Sequence, residues 1–235
     1  MRASVALGYE SFRDLQAALR EDFREATTPT GRLDRTLQGL EAAAEKAVTA
    51  AEATLQRDER LLAKAQALTE FHLVEKAAQL IGAGRVVHLF GVGLSAAAVV
   101  GLDYRLTRLG IPTNPMMSED RATLQRVLTA SEDDCVVAFA FYPIPDGLRM
   151  LRRAIATAQA ASVLIGSAEA EITDEFDGFD VHLPTPQGPL SELTTITPAV
   201  AMASALAFTV AGHRPDAAKK AYRTFQALTE ETSSG

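Results

Sequence analysis

The sequence has few of the residues that build disulfide-rich, secreted or membrane-spanning proteins. Its 235 residues include one cysteine and no tryptophan, and a single thiol cannot form an internal disulfide. Cys135 lies in the apolar run CVVAFAF, a setting typical of a buried thiol. No apolar stretch reaches the roughly 18 residues of a membrane span without a charge or a strong breaker, and the start MRASVALGYESFRD lacks a signal-peptide pattern. The sequence therefore predicts a cytoplasmic protein without a membrane partner.

An excess of positive charge is also missing. The formal net charge is −7, which opposes broad attraction to a phosphate backbone. Residues 1–35 carry six arginines against six carboxylates and show no basic stripe. We therefore predict no complete DNA-binding module in this sequence, whose 47% hydrophobic residues instead suit a substantial buried core.

Glycine and proline are almost absent between Leu33 and Ile81, where Gly39 is the one exception. Alanine, leucine, glutamate and arginine dominate this stretch, which is strongly helical. Its apolar positions recur every three or four residues, at Leu33, Leu37, Leu40, Ala44, Val48, Ala51 and Leu55. The charged run Arg57–Arg60 interrupts that stripe. The pattern predicts two antiparallel helices or one long bent helix, packed on the rest of the chain or on a dimer partner.

After residue 82, short apolar runs alternate with segments long enough for helices. The runs are VVHLF, IPTNPMM, CVVAFAF, SVLIG and FDVHL. Such alternation predicts βαβ units and a mainly parallel sheet. Helices are predicted from Ser95 to Leu109, from Glu192 to Gly212, and from Asp216 to Glu231, followed by a frayed tail.

The first strand is followed by a glycine turn, Gly91-Val92-Gly93-Leu94-Ser95. Ligands of open parallel sheets bind outside the carboxyl ends of the strands, and glycine allows close approach of the backbone. Ser95 is predicted either to cap the next helix or to contact an anion. The turn is not a P-loop, because no Gly-Lys-Ser/Thr ends it. It fits the G-x-G-x-x-A variant of a dinucleotide fingerprint, but no acidic residue ends the second strand, since Glu119 and Asp120 come late.

The stretch GAGRVVHLFGVGLSAAAVVGLDYRLTRLGIPT resembles the start of a SIS (sugar isomerase) domain. Upstream, LGYESFRDLQAALREDF resembles the segment that joins the DNA-binding head to the sensor in RpiR-family bacterial transcription regulators. The resemblance covers most of the chain. It implies a three-layer α/β/α fold with a five-stranded, parallel, flavodoxin-like sheet that senses a sugar phosphate or related anion.

The sequence departs from the family in two places. The helix-turn-helix head is represented at most by Met1 to Ala6, so DNA is predicted as a partner only of a longer form; a truncated regulator and a stand-alone sensor both stay open. After the third strand, many SIS domains have a Ser-x-Ser-Gly-x-Thr loop that holds phosphate, whereas this chain reads AFAFYPIPDG. Tyr142 of this loop is predicted as a packed aromatic or a pocket residue, with Asp146 as the helix cap.

The predicted ligand-binding residues are glycines and hydroxyl-bearing side chains after the strands: Gly91, Gly93, Ser95, Ser118, Tyr142, Ser167 and Ser191. Ser167 is predicted to end the fourth strand, where it either contacts ligand or caps a helix. Glu192 is the one carboxylate considered as a catalytic base, although the helix dipole already explains an acid at a helix start. The four histidines are scattered without metal-ligand spacing, so neither a metal nor another cofactor is predicted.

Three functions follow as hypotheses. The first is the effector-sensing domain of an RpiR-type regulator, which binds a sugar phosphate or related carbohydrate derivative without turnover. The alternatives are an aldose–ketose isomerase, which requires a base and an acid beside the substrate, and an oligomerisation scaffold with a vestigial site. The predicted divisions are a remnant head and linker at 1–32, a helical segment at 33–82 and the SIS domain at 83–235. A homo-oligomer, dimer or tetramer, is expected because the apolar helices exceed what one sheet covers.

Overall fold

The structure, a computed structural model, describes residues 11–46, 48–168 and 176–232. The predicted remnant of a recognition helix at Met1 to Ala6 and the last residues of the predicted tail lie outside the described residues. The chain forms two compact units, residues 1–60 with 187–195, and residues 61–186 with 196–235. The division at 32 and 82 stays a prediction from the sequence.

The first unit is helical. It contains α1 (Phe12–Ala26), α2 (Pro29–Ala44) and the beginning of α3 (Ala50–Leu68). Thr28 caps α2 by accepting a hydrogen bond from Gly31 N, and Pro29 occupies the first turn, where a missing N–H costs nothing. The segment 187–195 is held by the helices, because Leu193 N donates to Thr36 Oγ1 at 2.9 Å and Arg57 donates to the Leu193 carbonyl at 3.0 Å.

The helical stretch from 33 to 81 divides differently from the prediction. It contains three helices, α2, α3 and α4 (Phe71–Ala83), instead of two helices or one bent helix. The charged run Arg57–Arg60, which interrupts the apolar stripe, lies inside α3. Arginine and glutamate are good helix formers, so a charged run changes which face is exposed without ending the helix. The second break falls at Thr69, a β-branched residue whose hydroxyl bonds back to the Ala65 carbonyl at 2.7 Å.

The second unit is built on a five-stranded parallel sheet in the order β2-β1-β3-β4-β5. The strands are β1 (Val87–Phe90), β2 (Thr113–Met116), β3 (Cys135–Ala140), β4 (Ala161–Ser167) and β5 (Val181–Thr185). Both β1 and β3 are fully buried, and β3 reads as a continuous apolar run because helices cover both faces of a parallel sheet. The predicted flavodoxin-like fold is confirmed.

Two hydrophobic cores lie on opposite faces of this sheet. Leu89, Val137 and Ile165 belong to one core with α4, α5 (Ala96–Arg108) and α8 (Thr197–His213). Phe90, Val136 and Leu164 belong to the other, with α7 (Gly147–Ala158). Neighbouring strand residues point to opposite faces, so β1, β3 and β4 each contribute to both cores. The remaining helices are the short α6 (Arg121–Gln125) and α9 (Pro215–Thr232).

The long apolar helix was predicted to begin at Glu192, and this is wrong. Helix α8 begins at Thr197 with Pro198 in its first turn, while Glu192 N bonds to the Pro189 carbonyl within a turn. Proline is favoured at the first helical positions and disfavours helical conformation in the residue before it. The signal for the true start was therefore Pro198, and Ser191 and Glu192 do not open the helix.

Candidate functional site

The carboxyl ends of β1 and β3 form the point where strand order reverses, since β1 has β2 on one side and β3 on the other. Open α/β sheets bind ligands in the crevice at such a point. The last ladder contact of β1 is the bond from Gly91 N to the Met116 carbonyl, 3.1 Å long. The residues that follow, from Gly91 to Ser95, are therefore the first that this edge of the sheet offers to a ligand.

The two glycines of this turn serve different purposes. A Cβ at Gly91 would lie 2.8 Å from Val99 Cγ2 and 3.1 Å from the Ser95 carbonyl, so this glycine allows α5 to pack closely on β1. Gly93 has φ +60°, and a Cβ there would meet nothing within 4 Å. Gly91 is thus a packing residue, whereas Gly93 gives a left-handed turn beside open space.

Ser95 ends a short 3-10 turn, Gly93–Ser95, that leads into α5. The residue is 7% exposed and makes no side-chain capping bond to α5. Its φ and ψ of −63° and −22° are already helical, whereas capping residues usually have extended backbone. The capping alternative is therefore wrong. A contact between the Ser95 hydroxyl and a ligand stays a prediction.

Ser118, after β2, belongs to a hydrogen-bonded turn. Its hydroxyl donates to the Asp120 carboxylate and lies 3.0 Å from Thr123 Oγ1. Asp120 in turn accepts from Thr123 N at 2.8 Å, which caps α6. The Ser118 hydrogen bond is the main cause that lowers the pKa of Asp120 to about 2. The Ser118 hydroxyl therefore stabilises a carboxylate that is ionised at neutral pH.

The loop between β3 and α7 holds Tyr142, which is 36% exposed and precedes a cis peptide bond to Pro143. Asp146 was predicted to cap α7, but its side chain makes no capping bond. The first amide of the helix, Gly147 N, donates to Glu119 Oε1 at 2.5 Å instead. Glu119 is the site residue that the sequence analysis missed, because it comes from the loop after β2 and is remote from α7 along the chain.

The predicted site residues fall into two groups. Gly91, Gly93, Ser95, Ser118, Tyr142 and Ser167 all follow or end strands of the one sheet. Ser167 is the last residue of β4, as predicted; it is 4% exposed and pairs in register with Thr185. Ser191 and Glu192 belong to the helical unit, where Glu192 lines a cavity of about 540 Å3 with Lys46, Arg57 and Arg60.

A buried polar cluster lies at the opposite, amino end of the sheet. The His88 ring nitrogens are 2.9 Å from Asn114 Nδ2 and 3.5 Å from Asp134 Oδ2. Arg85 donates to the same carboxylate at 2.9 Å. Burial lowers the pKa of His88 despite the raising influence of Asp134, so the ring is neutral near pH 7. An amide donating to Nδ1 leaves Nε2–H directed at Asp134. This cluster links β1, β2 and the start of β3.

The described residues contain no group of three histidine, cysteine, aspartate or glutamate side chains arranged to hold a metal ion. Burial raises the pKa of the Cys135 thiol to about 12, as expected for an inert buried cysteine. Among the helices in the part of the chain that the structure describes, none is both long and apolar enough to cross a membrane.

Comparison with protein-family models gives no match, and neither does a search of curated protein sequences. Solved structures do match. The sugar isomerase domain of an RpiR transcription factor from Sphaerobacter thermophilus has a TM-score of 0.67 and 17% identity, with 74% of this chain and 96% of that chain covered. The NanR protein of Vibrio vulnificus, complexed with ManNAc-6P, has a TM-score of 0.63 and 15% identity over 98% of this chain and 80% of that chain.

A phosphoheptose isomerase from Francisella tularensis also matches, with a TM-score of 0.54 and 10% identity over 67% of this chain and 94% of that chain. Two regulators and an isomerase thus have the same architecture as this chain, so the fold alone does not decide between these functions. The strand order, the glycine turn at its reversal point and these likenesses together show that the chain has the fold of a SIS (sugar isomerase) domain.

Proposed function

We propose that this chain is the effector-sensing SIS domain of an RpiR-type bacterial transcription regulator. It binds a sugar phosphate or a related carbohydrate derivative at the carboxyl edge of the sheet and does not convert it. The observation that carries this proposal is the left-handed turn at Gly93, which faces open space where the strand order of a SIS-type sheet reverses. The Ser95 hydroxyl next to this turn does not cap α5.

Binding without turnover is supported by the state of the nearby acids. Aldose–ketose isomerisation needs one group that removes a proton beside the carbonyl and another that protonates its oxygen. Asp120 is a poor base, because its pKa is lowered to about 2 by the Ser118 hydrogen bond. Glu119 is occupied by the α7 amide. The carboxylates of the β2 loop are thus engaged in holding helix ends.

The RpiR assignment draws support from the neighbours. The match to NanR covers 98% of this chain and therefore includes the helical unit as well as the sheet. A homo-oligomeric assembly belongs to the same proposal, and DNA is a partner only of a longer form that carries a helix-turn-helix head.

The test is thermal unfolding against a panel of carbohydrates and their phosphates. A ligand at a hundredfold excess over its Kd stabilises the folded state by about 2.7 kcal/mol, which corresponds to a Tm increase of roughly 5–10 °C for a domain of this size. NMR of the same mixtures should show the ligand unchanged after hours, whereas interconversion would identify an isomerase.

A matched pair of variants locates the binding site. Ser95→Ala should weaken ligand binding, while Ser204→Ala, the same chemical change within α8, should leave it unaltered. If no compound of the panel raises the Tm, the sensing role is wrong, and an oligomerisation scaffold with a vestigial site becomes the better explanation. Equal ligand binding by Ser95→Ala and the unmodified protein would move the site away from the glycine turn.

A further inference from the structure

Glu119 places a negative charge of the protein itself at the amino terminus of α7. Its Oε1 accepts a hydrogen bond from Gly147 N at 2.5 Å, and Gly147 is the first residue of this 12-residue helix. The N-terminus of a helix favours anions, because its first amides lack partners within the helix and the peptide dipoles add up there. A carboxylate in this position therefore meets the demand that a bound phosphate would otherwise meet.

The side chains around Glu119 add to this effect. Asp120 follows it and is kept ionised by the hydrogen bond from Ser118, and the exposed Asp146 immediately precedes α7. These three carboxylates lie in the loops after β2 and β3, the two strands that flank β1. Two basic residues lie nearby in sequence: Arg121 directly follows Asp120, and Arg149 is the third residue of α7.

The loops after β2 and β3 offer a phosphate few hydroxyl donors. Residues 138–147 contain no serine or threonine, and their one hydroxyl group is the phenol of Tyr142. On the β2 side, the Ser118 hydroxyl is donated to Asp120. A phosphate entering this crevice would face like charges and find the Gly147 amide taken, whereas a neutral or amine-bearing sugar would find carboxylate acceptors.

We propose that Glu119 determines the ligand class of this site by acting as a built-in substitute for a phosphate group. The site takes a carbohydrate derivative that is uncharged or carries an amine, and it excludes the 6-phosphate ester of the same sugar. This inference rests on the proposed function and narrows its ligand.

The experiment compares sugars in matched pairs, each with and without its 6-phosphate: N-acetylmannosamine, glucosamine and fructose. Calorimetry gives the ratio of the two Kd values for the unmodified protein, Glu119→Gln and Glu119→Ala. We expect the unmodified protein to bind the free sugar at least tenfold more tightly than its phosphate. Glu119→Ala, which frees the Gly147 amide, should shift that ratio at least tenfold toward the phosphate, and Glu119→Gln, which keeps an acceptor without the charge, should shift it less.

Glu132→Ala is the matched control, because it removes the same charge from an exposed side chain at the amino end of the sheet. It should leave the ratio unchanged, and circular dichroism verifies that each variant is folded. Tighter binding of a phosphate by the unmodified protein, or an equal ratio in Glu119→Ala, would overturn the inference and leave the sensing function standing. Absence of binding to either member of every pair, in all four proteins, would overturn both.

Discussion

Two histidines lie in the sheet, His88 fully buried and His182 half-buried, and they differ in how their ring nitrogens are satisfied. His88 on β1 contacts Asn114 and Asp134. His182 on β5 packs against Phe176, with ring centroids 5.8 Å apart, while its Nε2 is buried without a hydrogen-bond partner among the described residues. Burial lowers the pKa of both rings below 6.5. Both are therefore neutral in the folded protein at pH 7.

The lowered pKa values make stability depend on pH in a defined direction. Below about pH 6.5 the unfolded chain protonates these rings, while the folded chain resists protonation, so the unfolded state binds more protons. Stability is therefore fully present above the unfolded pKa and is lost as the pH falls toward the lowered folded values. The Asp134 carboxyl acts in the same direction at lower pH, because hydrogen bonds and Arg85 lower its pKa although burial opposes them.

His182→Leu should reduce this loss. The substitution removes an unpaired buried nitrogen, so it should stabilise the protein at pH 7.5 by about 1 kcal/mol and flatten the decline in unfolding free energy from about pH 7 to 5.5. Urea titrations across that range measure both effects. His72→Gln, at an exposed position in α4, is the control and should keep the original decline. An unchanged slope in His182→Leu would show that this ring protonates freely in the folded state.

At the scale of elements, α9 is attached to the body of the second unit by a stacked arginine. Arg108, in the last turn of α5, lies 4.3 Å from the ring centroid of Phe225 and 5.1 Å from that of Tyr222, both on α9. It also donates to the Tyr104 hydroxyl at 2.6 Å. A cation over aromatic rings at these distances is worth roughly 0.5–1 kcal/mol for each exposed contact. Through these contacts, Arg108 holds the largely polar helix α9 against α5.

Arg108→Ala should loosen α9 selectively. We expect its amides to exchange hydrogen faster by a factor that corresponds to about 1–2 kcal/mol, while the amides of β1 and β3 keep their protection. Hydrogen exchange read by mass spectrometry resolves the two regions. Arg223→Ala removes an equal charge from α9 without a stacking contact and should change little. If α9 keeps its protection in Arg108→Ala, apolar packing alone holds the helix.

At the scale of the molecule, α8 has no charged residue from Thr197 to Gly212, and its outer side is apolar. Ala201, Ala205 and Phe208 are exposed, with Phe208 at 66%. Beside them, α3, α4 and α8 line an apolar cavity of about 590 Å3 that includes Leu62, Phe71 and Met202. A helix that is apolar on all sides is normally buried on all sides. These surfaces support the prediction that the protein is a homo-oligomer.

Phe208→Glu should therefore lower the assembly state. Light scattering at micromolar concentration should give a dimer or larger for the unmodified protein and a monomer for the variant, since removing a carboxylate from water at an apolar interface opposes association. Met150→Glu places the same charge on α7, which packs on the opposite face of the sheet from α8, and is the control. A monomeric unmodified protein would contradict the prediction, and so would an unaltered assembly in Phe208→Glu.

Most of the fold was predictable because hydrophobic patterning is local along the chain. The runs CVVAFAF and SVLIG predicted β3 and β4, and the glycine after the first strand predicted the turn into α5. The 33–81 stretch was predicted as two helices or one bent helix and contains three, and its charged run does not end a helix, because charged residues change which face is exposed without ending it. The start of α8 was predicted too early, at Glu192, because acidic residues are common in the first turn of a helix. Pro198, in the true first turn, was the stronger signal.

The sequence by itself determined the class of fold and the five strands, since these follow from the period of the apolar residues and from the segments between them. It also predicted that a ligand binds at the carboxyl edge of the sheet. The tertiary structure alone decided which acid caps α7. Glu119 reaches Gly147 across 28 positions of sequence, and Asp146, the neighbour in sequence, does not cap. Helix ends are satisfied by whichever group the folded chain brings within hydrogen-bond distance, and that proximity depends on strand order rather than on sequence spacing.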